Sequence, residues 1–153
     1  MDADLVNAFI ESSLFTLEKT ASVKFNPLKP FLEPKRTAKG EISGVIELTG
    51  DIRGTLSISF ERKTIFDIVS RMFGESLSEL NDDIKDAVGE LLNMVAGRIN
   101  TKLSGKGQTV TAKLLKVLTG SQHVLPHDTE HPVISIPVGT DSGVITLQVC
   151  VSS

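Results

Sequence analysis

Apolar residues Leu5, Ala8, Phe9, Leu14 and Phe15 recur along one side of residues 4–18, which predicts a helix with Asp2 or Asp4 as its capping carboxylate. The period then changes. Between Phe25 and Pro34 three prolines fall within eight residues, and chain without amide donors predicts an extended connector or a sheet edge. Residues 42–49 and 54–60 predict a hairpin, with Leu56, Ile58 and Phe60 facing inward and Thr55, Ser57 and Ser59 outward. Thr49, Gly50, Asp51 and Gly54 supply its turn. Residues 62–73 return to helical spacing through Ile65, Phe66, Ile68, Val69, Met72 and Phe73, and Gly74 stops that helix.

The longest helix starts at a cap on Asn81 or Asp82 and runs to about Leu103 or Ser104. Its core stripe is Ile84, Val88, Leu91, Val95 and Ile99, flanked by Ala87, Leu92 and Met94. Strands are predicted over 109–118, 131–138 and 143–151, with Asp141, Ser142 and Gly143 as the last hairpin turn. The final strand places Ile145, Leu147, Val149 and Val151 on one face, and Val144, Thr146, Gln148 and Cys150 on the other. Two helix-then-strands blocks suggest an internal repeat. The pattern gives an α+β fold, helices on one side of a largely antiparallel sheet, in a single domain over residues 1–153.

Composition narrows the partners. The 153 residues are 40% hydrophobic and 23% charged, ordinary globular values. A net charge of −3 argues against nucleic acid or an anionic membrane as a general partner. Lys35, Arg36 and Lys39 form only a short basic patch in a loop. No stretch reaches the roughly 20 apolar residues of a membrane span, and the acidic start is unlike a secretory signal, so a cytoplasmic protein is expected. The single Cys150 excludes an internal disulfide framework and reads as a small buried hydrophobe. Without Trp or Tyr, aromatic base-stacking is not expected.

The candidate chemistry lies opposite the stripe of the long helix. At about 100° per residue, Asp86, Glu90, Asn93 and Gly97 share the face that meets water. Glu90 and Asn93, three residues apart, stand one above the other: one charge to grip a cation, one amide to orient a water. Polar residues there also fit an ordinary solvated face. Against that reading, Asn costs several tenths of a kcal/mol relative to Ala within a helix, and Gly roughly 1 kcal/mol. Both costs fall on this one face, and Gly97 lets another backbone come close.

The histidines His123, His127 and His131 have metal-ligand spacing for a helix, but Pro126 and Pro132 break one there, and a polar loop is the plainer reading. The run Gly105 to Thr109 follows a helix instead of preceding one, so it reads as a helix stop plus turn and not a phosphate loop.

The segment from Ala87 to Leu103, Ala-Val-Gly-Glu-Leu-Leu-Asn-Met-Val-Ala-Gly-Arg-Ile-Asn-Thr-Lys-Leu, resembles the signature helix of the CheC/CheX/FliY phosphatases. These act on phosphorylated chemotaxis response regulators of the CheY type. The opening Met-Asp-Ala-x-x-Val-Asn-Ala, the Ile-x-Leu-Thr-Gly-Asp-Ile-Arg-Gly-Thr-Leu hairpin and the Leu-Thr-Gly after the long helix resemble CheX, so the likeness spans nearly the whole chain.

The resemblance implies a CheC-like two-layer fold and a phosphatase in which Glu90 pairs with the receiver's active-site lysine and Asn93 orients the attacking water. Asp86 and Gly97 would lie in the partner interface. It further implies a phosphorylated response regulator as partner, a homodimer joined through sheet edges, and no cofactor of the chain's own, the Mg²⁺ belonging to the response regulator. Double-site relatives carry a second Glu-x-x-Asn on the first helix. Here Glu11 is followed by Leu14, which implies one site per chain. Leu92 departs from the small residue the resemblance leads one to expect, and would crowd the approach to the pair. The reading from another class is a non-catalytic adaptor that uses the same helix face to hold a receiver or a flagellar partner.

Overall fold

Every strand pairing in the sheet is antiparallel, and the helices cover one of its faces, in a computed structural model that describes residues 3–74, 79–107 and 109–152. Helix α1 (Ala3–Ala21) leads into two short edge strands, β1 (Asn26–Pro27) and β2 (Phe31–Glu33). The hairpin β3 (Ile42–Gly50) and β4 (Arg53–Phe60) follows, then helices α2 (Arg62–Phe73) and α3 (Asp82–Leu103). Strands β5 (Val110–Thr119), β6 (Val133–Thr140) and β7 (Gly143–Ser152) complete the chain. The α+β reading holds. The proline-rich connector is a sheet edge, as its missing donors predict: β1 and β2 both pair with β6. No helix among the described residues is long and apolar enough to cross a membrane. Asp2, read from the sequence as an alternative cap for α1, and Gln108, read from the sequence as part of a turn, lie outside the described residues.

The sheet order β1-β6-β7-β4-β3-β5 carries the repeat suggested by the two helix-then-strands blocks. Each block supplies a helix, an edge element and a hairpin. The two hairpins meet at β4 and β7, from Arg53 opposite Ser152 to Phe60 opposite Ile145. Each block's edge element then pairs with the other block's hairpin: β1 and β2 with β6, and β5 with β3. Under the helices, Ile58, Leu147 and Ile136 align across three strands within one apolar cluster that also holds Leu91, Val95 and Phe9.

Several sequence expectations fail, the first two for a non-local reason. Ser57 and Ser59, read as outward, are fully buried, as are Gln148 and Cys150 on the same side of the sheet. The segment between β5 and β6 lies across that side. It is tied down by Leu125 N–H donating to the Arg36 carbonyl (2.7 Å) and Ala38 N–H to the His123 carbonyl (2.8 Å). The Arg36 guanidinium also donates to the Asp128 and His131 carbonyls.

On α1, Phe15 is 40% exposed and Leu14 only partly buried, whereas Ser12, Ser13 and Thr16 are buried beside Leu5, Phe9 and Leu17. The buried face continues through small residues because α1 packs on α3. Of the apolar residues assigned to α2, Phe73 is exposed, while Ile65, Ile68 and Val69 are fully buried.

His127 sits inside this second layer, its ring nitrogens bonded to Thr55 Oγ1 (2.5 Å) and Ser57 Oγ (3.2 Å). Burial pushes its pKa down from 6.5 to about 4; Gln148 and Asp128 oppose the shift and the Arg36 charge adds to it. The unfolded chain therefore takes up this proton near 6.5 and the folded chain only near 4. Its effect on stability is absent above the upper value and grows as pH falls through the window, reaching about 3 kcal/mol of destabilisation. Urea unfolding of the wild type and His127→Asn from pH 7.5 to 4.5 should show the wild type losing more stability. Parallel losses would exclude the effect.

Candidate functional site

Helix α3 is built to hold one polar face rigidly in solvent. Asn81 caps it by accepting from Ile84 N–H at 3.1 Å, and Asp82 and Asp83 favour its positive end. Ile84, Val88, Leu91, Val95 and Ile99 are all essentially buried, which fixes the rotation of the helix on the sheet. Asp86, Glu90, Asn93 and Gly97 consequently stand exposed on the opposite side, as their spacing predicts. No hydrogen bond or ion pair among the described residues engages the Glu90 or Asn93 side chain. A free carboxylate and a free carboxamide, one turn apart on an anchored helix, can take up a cationic group and a water.

The surroundings of the pair are polarised. Toward the helix N-terminus, Glu90 rims a hollow of about 330 Å³ with Phe73, Asp83, Asp86 and Ala87. Toward the C-terminus the surface turns apolar and basic around Met94, Gly97 and Arg98. A Cβ placed on Gly97 would meet nothing within 4 Å, so the chain's own packing does not require glycine there.

Leu92 does not crowd the pair. It is fully buried and points the other way, into the sheet, where a Cβ on Gly44 of β3 would collide with its side chain. The glycine makes the space that the larger residue fills, and the exposed face is unaffected.

Residues 42–139, which contain the whole of α3, match the model of the family Chemotaxis phosphatase CheX. The chain belongs to the CheX family. The CheY-P phosphatase CheX of Thermotoga maritima is 33% identical over 121 residues, 78% of this chain and 78% of that protein. The crystal structure of a CheC-like superfamily protein from Shewanella sp. PV-4 is 33% identical and covers 100% of both chains with a TM-score of 0.91. The chemotaxis protein CheX of Vibrio vulnificus is 31% identical, with a TM-score of 0.89 over 98% of this chain and 100% of that one.

For a CheX chain the other sequence candidates resolve simply. On α1, Glu11 is held by Lys102 at 2.6 Å, and the bond and charge of that lysine lower its pKa. Leu14, at the position of a second asparagine, packs against the core.

The histidines have separate partners. His123 bonds the Gly120 carbonyl and Ser43 Oγ, His127 bonds Thr55 and Ser57, and His131 pairs with Asp128. Among the described residues, no group of three or more His, Cys, Asp or Glu side chains could hold a metal ion. A metal site shared by the three histidines thus has no geometric basis among the described residues. Residues the sequence pattern did not assign to the site are Phe73, Phe15, Met94 and Arg98. For Phe73, Phe15 and Met94 the only signal was a large apolar side chain at an element end or flank, which periodicity assigns to the core, and Arg98 gave no signal at all.

Proposed function

We propose that this chain hydrolyses the aspartyl phosphate of a CheY-like response regulator, with Glu90 docking on the receiver's active-site lysine and Asn93 positioning the attacking water. The observation that carries this reading is the pair itself: two unengaged side chains one turn apart on the exposed face of α3, inside the segment that matches the family. The CheY-P phosphatase name of the Thermotoga maritima relative supports the same substrate.

The chemistry needs little from the protein beyond placement. Water oxygen bonds to phosphorus as the bond from phosphorus to the aspartate oxygen breaks, which leaves a carboxylate and inorganic phosphate. An amide can accept a hydrogen bond from that water while donating to a phosphoryl oxygen, which holds the attack in line. Glu90, a point charge one turn away, pairs with the lysine and sets the register of docking. The Mg²⁺ of the reaction is assigned to the receiver, so the chain needs no cofactor of its own. Asp86 and Gly97 flank the pair as contact positions.

The whole of residues 1–153 is taken as one CheX-like domain working in the cytoplasm. It pairs as a homodimer through sheet edges, of which β5, whose one strand partner among the described residues is β3, is one.

The test is the decay of phosphorylated receiver with and without the chain. Acceleration in proportion to added protein is expected, whereas protection or no change would make the chain an adaptor. In the same assay Glu90→Ala should lower both receiver affinity and rate, by roughly tenfold or more in their product. A rate loss with full affinity would remove the docking role.

A further inference from the structure

One helical turn beyond Asn93, α1 and α3 enclose a groove of about 530 Å³ lined by Phe15, Met94, Gly97 and Arg98, with Lys19 and Lys102 at its rim. Phe15 and Met94 are each 40% exposed, a high value for large apolar side chains that sit side by side. The Arg98 guanidinium lies 3.6 Å from the Phe15 ring centroid, and Lys19 Nζ lies at 5.7 Å. Arg98 Nε is buried with no hydrogen-bond partner among the described residues, so its stacking on Phe15 leaves a donor unused. Gly97 forms open floor. The groove is therefore apolar within, cationic at the rim through Arg98 and Lys19, with Lys102 paired to Glu11, and continuous along α3 with Asn93.

We infer that this groove is a second anchor for the phosphorylated receiver, taking an apolar side chain flanked by carboxylates and so fixing the orientation in which the receiver meets Asn93. The inference rests on the phosphatase reading and adds a direction to it. Along α3 the net charge changes sign at Asn93: Asp82, Asp83, Asp86 and Glu90 outweigh Lys85 on the N-terminal side, and Arg98 lies on the C-terminal side with Lys102, which Glu11 pairs. A receiver that carries an aspartyl phosphate with its divalent cation presents an anionic phosphoryl group, cation-binding carboxylates and one lysine. Its lysine then matches the acidic half and its carboxylate rim the basic half. Reversed docking would set like charges against each other at both ends. α1 thus takes part in recognition through Phe15 and Lys19, although it carries no catalytic pair.

The experiment measures binding and turnover of a CheY-type receiver, with beryllofluoride and Mg²⁺ as the phosphoryl mimic for affinity. Gly97→Leu projects into the groove from a position whose Cβ meets nothing within 4 Å, and it removes a helix-interior glycine, so its thermal midpoint should hold or rise. Its affinity should fall at least tenfold, with the loss in KM rather than kcat. Lys19→Glu should weaken binding several-fold at low salt and flatten the salt dependence. Wild-type binding with unchanged affinity in both variants would overturn the anchor and the contact role of Gly97 while leaving the Glu90/Asn93 chemistry standing, whereas absence of any wild-type binding would overturn the phosphatase reading with it. If Gly97→Leu instead dissociates a dimer while keeping receiver affinity, the groove belongs to a second copy and the inference fails.

Discussion

Asn93→Ala is expected to remove receiver dephosphorylation, with turnover falling at least about 100-fold, while affinity for the phosphorylated receiver stays within about twofold. The expectation follows from what Asn93 touches. Its side chain is exposed and has no partner within the described chain, so its removal takes nothing from the fold. Alanine is also the better helix former by several tenths of a kcal/mol, and the thermal midpoint should not drop. The carboxamide is lost only where it holds water, in the transition state, which places the effect in kcat. Asn93→Asp should be no substitute, because it sets a negative charge against the phosphoryl group it has to approach. Single-turnover decay of phosphorylated receiver at saturating protein is the measurement, and near-normal decay would sink the mechanism.

Leu92→Ala should do the reverse. The two residues are neighbours in sequence but face opposite ways, and Leu92 is 0% exposed in the space opened by Gly44. Truncation leaves a cavity that β3 cannot close, since Gly44 has no side chain to move into it. The expected cost is about 2–5 kcal/mol. In a domain of this size that lowers the thermal midpoint by roughly 5–15 °C. Measured well below that midpoint, the folded fraction should dephosphorylate receiver within about threefold of the wild-type rate. A faster enzyme with an unchanged midpoint would place Leu92 on the approach to the pair, as its size first suggests.

Helix α3 was legible from sequence because each of its determinants is local. The Asn81 cap, the five-residue stripe and the polar face repeat within a few turns, and the structure keeps all three. The α2 stop at Gly74 was equally local: the residue takes the left-handed φ of 70° and donates to the Ser70 carbonyl. The groove beside Asn93 was not legible. It needs Phe15 from α1 against Arg98 from α3, and no spacing rule within one helix records which residue of another helix lies across from it.

By itself, the sequence determined the elements, the antiparallel α+β class and the face of α3 that carries Glu90 and Asn93. Hydrophobic period depends on the rotation of each element about its own axis, and caps and hairpin turns are set by a few neighbouring residues, so these features are local. The tertiary structure alone decided what covers each face. Ser57 reads as a solvent position, yet it lies fully buried beneath His127, 70 residues later in the chain. Phe15 reads as core, yet it is left at the surface because small residues bring α1 close to α3. Burial is a property of two surfaces meeting, and period describes only one of them.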